Sequence, residues 1–188
     1  MDTSTKDQFE YLRYLTESAD QKAILRDLMT AYGDDVWNFA FSICRNFDMA
    51  QDITQDVFLK VYRNIGSFRG ESTVKSWLLT ITRNTAFDYK KSAFMRKVTL
   101  MDVVKSKDSQ KSAEHEAIEK ITINEIWEKV LKLPAKYREV LVLAAHHQLK
   151  MEEMANILGV GVGTVKSRLY HARMKMLKME VHDTDEAL

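Results

Sequence analysis

The stretch Met151–Lys178, MEEMANILGVGVGTVKSRLYHARMKMLK, constrains the fold of this chain more than any other part of it. Met151, Met154, Ala155 and Leu158 recur at helical spacing. Gly159 follows, and glycine takes the left-handed conformation that ends a helix without steric cost. The pattern restarts at Thr164, with Val165, Leu169, Ala172 and Met176 on one face. Between Thr164 and Met179 stand five bases (Lys166, Arg168, Arg173, Lys175 and Lys178) and no acid. A short helix, a glycine turn and a basic second helix form the unit that lays its second helix in the DNA major groove. A lone basic helix face is often just solvated. The turn and the short first helix favour DNA contact here.

The chain has 188 residues, 45% of them hydrophobic and 29% charged, which suits one globular domain or two small ones. One proline and six glycines are few breakers for so much Leu, Met, Ala, Lys and Glu, so the chain is predicted to be nearly all helix. A net charge of +1 excludes a uniformly basic coat. Charge is segregated instead: residues 1–60 carry eleven acids against six bases, and a second basic cluster lies at Arg83, Lys90, Lys91, Arg96 and Lys97. Nucleic-acid binding depends on such local potential, and the acidic front half suits a basic protein partner. Cys44, the only cysteine, sits in the apolar run Phe39–Cys44 and reads as a small core residue. It allows no internal disulfide, which is compatible with a reducing cytoplasm. The N-terminus is polar and no apolar run approaches about 18 residues, so neither a signal peptide nor a membrane span is expected.

Residues 1–19 are polar with scattered aromatics and are assigned as an N-terminal arm. Residues 20–46 carry a helical stripe of Ile24, Leu28, Tyr32, Val36, Phe39 and Ile43, with Gly33 as a candidate break. Asp48 and Gln51 resemble a capping box that opens a helix over 49–65. Ser67–Thr73 is a polar loop, and a helix over 74–92 follows with Trp77, Leu78, Ile81 and Tyr89. Residues 93–116 lose the periodicity and read as a linker. Pattern returns over 117–179, where Pro134 restarts a helix that runs to about 148; residues 180–188 form an acidic tail. The predicted architecture is all-α: two small helical domains, 20–92 and 117–179, on a flexible tether.

His115, His146 and His147 suggest a metal, but adjacent histidines on a helix point about 100° apart. No cysteine or regularly spaced carboxylate completes a tetrahedral set, so no metal and no other cofactor is expected. Phosphate-cradling glycine loops, nucleophile elbows and paired catalytic acids do not stand out. Neither an enzyme nor a small-molecule substrate is expected.

Four segments together carry a resemblance: AQDITQDVFLKVYRNIGSFRG at 50–70, SWLLTITRNTAFDYKK at 76–91, LPAKYREVLVLA at 133–144 and EEMANILGVGVGTVKSRLYHAR at 152–173. In this order and spacing the chain resembles an extracytoplasmic-function (ECF) sigma factor, the two-domain class of the sigma-70 family of bacterial transcription initiation factors. The resemblance covers about residues 20–178 and makes the two domains region 2-like and region 4-like. It implies that Asp52, Gln55, Asp56 and Lys60 dock on core RNA polymerase. It implies that the −10 element is read as displaced single strand, its flipped base held by the loop. Asn64, Phe68, Arg69, Gly70, Glu71, Ser72 and Asn84 would line that site, with Arg83, Lys90 and Lys91 on phosphates. Trp77 is assigned to the core before base stacking. This helix lacks the dense aromatic row of primary sigma factors, which fits more stringent melting.

For the −35 element, the resemblance implies that Lys166, Ser167, Tyr170 and His171 approach base edges and Arg168 and Arg173 the backbone. Amides of Gly163 and Thr164, at the start of that helix, could receive a phosphate. His171 stands where many relatives carry arginine. The linker would cross the polymerase interior. Implied partners are core RNA polymerase, promoter DNA and an inhibitory anti-sigma factor, often membrane-bound. The implied setting is the cytoplasm and a stress or envelope response. The alternative is a stand-alone helix-turn-helix regulator, which would bind duplex DNA without polymerase and usually as a symmetric dimer.

Overall fold

The structure, a computed structural model, describes residues 20–101 and 125–185. The expected N-terminal arm, most of the expected linker and His115 lie outside the described residues. Among the described residues the secondary structure is helical, without a strand. The first domain holds α1 (Gln21–Cys44), α2 (Phe47–Asn64), a 3-10 turn at Ile65–Ser67 and α3 (Val74–Met101). The second holds α4 (Glu125–Lys132), α5 (Ala135–Ala145), α6 (Met151–Leu158) and α7 (Val162–Asp185).

Capping explains where the first helices begin. Asp20 accepts from the amides of Lys22 (3.0 Å) and Ala23 (3.1 Å), satisfying donors that have no partner inside the helix. Gly33 does not break α1, which runs on to Cys44. Arg45 then adopts φ 56°, and its amide closes the helix on Phe41 O at 2.8 Å. The expected capping box at Asp48 and Gln51 is displaced. Asn46 caps α2 by accepting from Met49 N at 2.8 Å, and Asp48 lies in the first turn, where a carboxylate complements the helix dipole. Thr73 caps α3 through Ser76 N at 3.2 Å. That helix passes residue 92 and reaches Met101, so the first part of the expected linker is helical. Likewise residues 180–185 of the expected acidic tail continue α7.

The apolar stripes of the two domains close into one continuous core. Leu28, Val36, Phe39, Ile53, Val57 and Leu79 are completely or almost completely buried in the first domain. Leu133, Leu143, Met154, Val165 and Ala172 are buried likewise in the second. Each large side chain so buried contributes about 1.5–3 kcal/mol before the entropy of ordering it is counted. Gly159 takes φ 64° after α6, and Val160 N donates to Ala155 O at 3.1 Å, as a left-handed helix stop requires. α1 and α3 of the first domain also pack against α5 and α6 of the second.

Candidate nucleic-acid interface

The loop after α2 is pinned from below. Ile65 and Phe68 turn inward, and the Phe68 ring packs 5.1 Å from the half-buried Trp77. Phe68 is therefore the floor of the loop, not a ring presented to a base, and Trp77 packs against it. Gly70 adopts φ 69°, which turns the chain so that Arg69, Glu71 and Ser72 form an exposed rim. Asn64 is exposed at the end of α2, where its amide donates to Lys60 O at 2.8 Å. Asn84 and Lys91 face solvent on α3, and Lys90, also exposed, donates from Nζ to Ile43 O at 3.5 Å. Arg83 is engaged: its Nε donates to Glu139 Oε2 of the second domain at 2.8 Å, and its guanidinium lies 4.7 Å over the Phe87 ring.

On α2 the four residues expected at a protein partner divide in two. Asp52 and Gln55 are exposed. Asp56 accepts from Tyr89 OH at 2.6 Å, a bond that pushes the phenol up to about 12. Lys60 donates to Thr85 Oγ1 at 2.9 Å. These two brace α2 against α3. Leu59, 43% exposed, joins the outward face at helical spacing from Asp52, Gln55 and Asp56. Sequence reading missed it, although its spacing relative to the inward stripe Ile53, Val57 and Val61 marks it as outward.

α7 is seated by Val165, Leu169 and Ala172, all buried. Lys166, Ser167, Tyr170, His171 and Arg173 stand clear of that seat, while Arg168 is half-buried. Tyr170 is 62% exposed, unusual for so large an aromatic, and its ring lies 5.5 Å from His171. Tyr137 of α5 extends the cluster. Its ring is 6.1 Å from His171 and carries the ammonium groups of Lys136 at 5.0 Å and Lys175 at 5.9 Å. At the helix start one expectation changes: the Thr164 amide donates to Gly161 O at 2.9 Å, so it already has a partner. Gly163 is exposed in the first turn.

At the boundary of the two domains lies a set of buried and half-buried polar contacts, some within the first domain and some across to the second. Asp35 of α1 receives Lys75 Nζ at 2.9 Å and meets His147 Nδ1 at 3.1 Å. Burial would raise its pKa, but these two partners outweigh burial and hold the carboxyl at about 2. The His147 ring is sealed and packs edge-on to Phe39 at 5.6 Å. Burial pulls its pKa down against the pull of Asp35, and its Nε2 has no hydrogen-bond partner among the described residues. The ligand atoms of Asp35, His146 and His147 lie within 4.8 Å of one another, the one such group among the described residues. With the Lys75 ammonium on the same carboxylate, the group is an ion pair and not a ready cation site. Arg138 is 3% exposed and donates to Leu131 O (3.0 Å), Leu133 O (2.7 Å) and Ser42 O across the domain boundary. Burial lowers its pKa to about 10, so it stays charged at neutral pH. Cys44 bonds Asn46 O at 3.3 Å and burial pushes its thiol up, away from reactivity.

The family model for sigma-70 region 2 matches residues 28–93, and that for sigma-70 region 4 matches residues 123–176. RNA polymerase sigma factor SigV of Bacillus subtilis is 32% identical over 170 residues, covering 87% of this chain and 95% of that protein. ECF RNA polymerase sigma factor SigW of the same organism is 31% identical over 178 residues, covering 86% and 91%. Among solved structures, the sigma factor RpoE in complex with the anti-sigma factor NepR from Bartonella quintana superposes with a TM-score of 0.64 at 26% identity. It covers 84% of this chain and 96% of that one. CnrH, in complex with the cytosolic domain of CnrY, shares the fold at 23% identity and a TM-score of 0.65, covering 92% and 96%. Two helical domains in this order, the basic outward face of α7 and these relatives lead to one conclusion: the chain is a sigma factor of the ECF class of bacterial RNA polymerase.

Proposed function

We propose that the first domain docks on core RNA polymerase through the outward face of α2 and reads the −10 element with the 67–73 loop and α3, while α7 reads the −35 element. One observation carries the reading furthest. On α7 the apolar residues Val165, Leu169 and Ala172 seat the helix, and Lys166, Ser167, Tyr170, His171 and Arg173 project from it into solvent. That division lets a recognition helix enter the major groove without disturbing its own core. Lys166 can donate to guanine acceptors and Tyr170 can contact a thymine methyl. Arg168 and Arg173 would hold phosphates, and Gly163 supplies a first-turn amide for another. Around the single strand, Arg69, Gly70, Glu71 and Ser72 form the rim, Asn64 and Asn84 flank it, and Lys90 and Lys91 meet phosphates.

In this reading catalysis belongs to the polymerase, and the chain acts in the cytoplasm. No helix among the described residues is long and apolar enough to cross a membrane. The neighbour RpoE is held by an anti-sigma factor. We place this chain under the same kind of inhibitor, in a stress or envelope response. The stand-alone regulator is not favoured, because it has no use for the region 2 half of the chain, which the family model matches over residues 28–93.

Replacing Lys166 and Arg168 together with Ala tests the −35 assignment in the assembled holoenzyme. Promoter binding is expected to fall about tenfold or more, with the salt dependence shallower by about one unit for each phosphate no longer neutralised. Unchanged binding would remove the assignment. Asn84→Ala is expected to impair strand opening at the cognate promoter while polymerase binding stays intact. Normal opening by that variant would remove Asn84 from the −10 site.

A further inference from the structure

The exposed His171 of α7 has two tyrosine rings against it. The Tyr170 ring stands 5.5 Å away, edge to face at 71°, and the Tyr137 ring 6.1 Å away, tilted by 55°. Both distances fall in the range of attractive aromatic pairs. Tyr170 belongs to α7 and moves with it, whereas Tyr137 reaches His171 from α5. The Tyr137 backbone is firmly held. Its amide donates to Pro134 O at 2.9 Å, and the next three residues, Arg138, Glu139 and Val140, are buried. The exposed Lys136 and Lys175 bring their ammonium groups over the Tyr137 ring at 5.0 and 5.9 Å, where its electron-rich face attracts cations. Tyr137 itself is half-buried, unlike Val165, Leu169 and Ala172, which seat α7. Its side chain therefore has another use than filling the core.

A fixed ring angle matters more for histidine than for lysine. Neutral imidazole carries one donor and one acceptor nitrogen, and turning the ring over exchanges them. The torsion that turns it is broad and roughly two-fold, so an unsupported histidine can offer either nitrogen. In the major groove guanine presents acceptors, cytosine a donor and adenine one of each. A freely turning imidazole satisfies several of these edges, and a fixed one satisfies fewer. We infer that Tyr137 is a positioning residue for base readout by His171: from outside the recognition helix it sets the angle of the imidazole and narrows the base accepted there. Lys136 and Lys175, drawn to the face of the Tyr137 ring, hold that ring in turn. Side chains supported in this way by a rigid neighbouring element discriminate better than loose ones. The inference rests on the assignment of α7 to the −35 element made above.

The test uses holoenzyme assembled with the full chain, on a promoter from which it initiates, with each base pair of the −35 region varied to all four. Relative transcript yield gives the base preference at each position. His171→Ala is expected to flatten the preference at the base pairs that His171 reads. Tyr137→Leu is expected to relax the preference at those same base pairs about fivefold and to leave the others as in the parent. In the His171→Ala background Tyr137→Leu is expected to add no further loss. Tyr137→Phe, which keeps the ring, is expected to retain the parental preference. A Tyr137→Leu profile that matches the parent, or that weakens evenly at every position, overturns the inference, the second because it marks a general loss of packing. A Tyr137→Phe profile that matches Tyr137→Leu overturns the role of the ring. Parental preferences in His171→Ala, with altered ones in Lys166→Ala, remove His171 as a reader and the inference with it. Failure of the −35 assignment itself shows separately, as parental preferences in both Lys166→Ala and His171→Ala.

Discussion

Arg138 ties three backbone carbonyls together. Its guanidinium satisfies those of Leu131 and Leu133 in its own domain and that of Ser42 in the other. Arg138→Met keeps the length of the side chain but leaves these acceptors without that donor. We expect a loss of about 2–4 kcal/mol, read as a lower midpoint in urea unfolding. Arg138→Lys is expected to recover less than half of that loss, because one ammonium lacks the planar fork that reaches three acceptors. His147 gives the boundary a pH dependence of definite sign. Its pKa is lowered from 6.5 by burial, so the folded chain binds fewer protons than the unfolded one. The contribution of His147 to stability is therefore present above pH 6.5 and lost as pH falls through that value. Asp35, held at about 2, adds a loss of the same sign below about 4. A melting series from pH 8 to pH 5 is expected to show falling stability, with a smaller fall in His147→Gln; identical slopes would remove the assignment. None of this was legible in the sequence. Arg138 and Ser42 are 96 positions apart, and His147 and Asp35 are 112 apart, so no local period links them.

At the scale of elements, period and punctuation went far. The stripe Val165, Leu169, Ala172 is the buried face of α7, and Gly159 is the left-handed stop of α6. Gly159→Ala is expected to destabilise by about 1–2 kcal/mol in thermal unfolding, since any Cβ at φ 64° meets the following carbonyl. The open space around that position means the cost is one of backbone alone. Punctuation misled where two signals competed. Gly33 is a breaker by composition, yet the buried residues Leu28, Tyr32, Val36 and Phe39 on either side hold α1 through it. Asp48 and Gln51 look like a cap, but Asn46 bonds the Met49 amide first and moves the start of α2 back. Local hydrogen bonding decided both ends, and the hydrophobic pattern decided the middle. The candidate site shows the same split. The outward face of α7 follows from its seat, whereas the inward turn of Phe68 depends on Trp77, which only the folded loop brings near.

At the scale of the whole molecule, the proposed reading gives each of two modest domains its own DNA contact, and the domains share a boundary that is part apolar and part polar. Each contact surface is small, so strong promoter binding depends on holding both domains in register on one partner, where the second contact becomes intramolecular. The free chain is therefore expected to bind duplex promoter DNA weakly, and its holoenzyme tightly. Reconstituted transcription tests this most directly: the protein with bacterial core RNA polymerase, on the DNA upstream of its own gene and on a panel of promoters from the same genome. The account predicts initiation at a defined start that requires both the protein and the polymerase, with −10 and −35 elements upstream of it. A protein that bound promoter DNA tightly alone and failed to associate with the polymerase would contradict it.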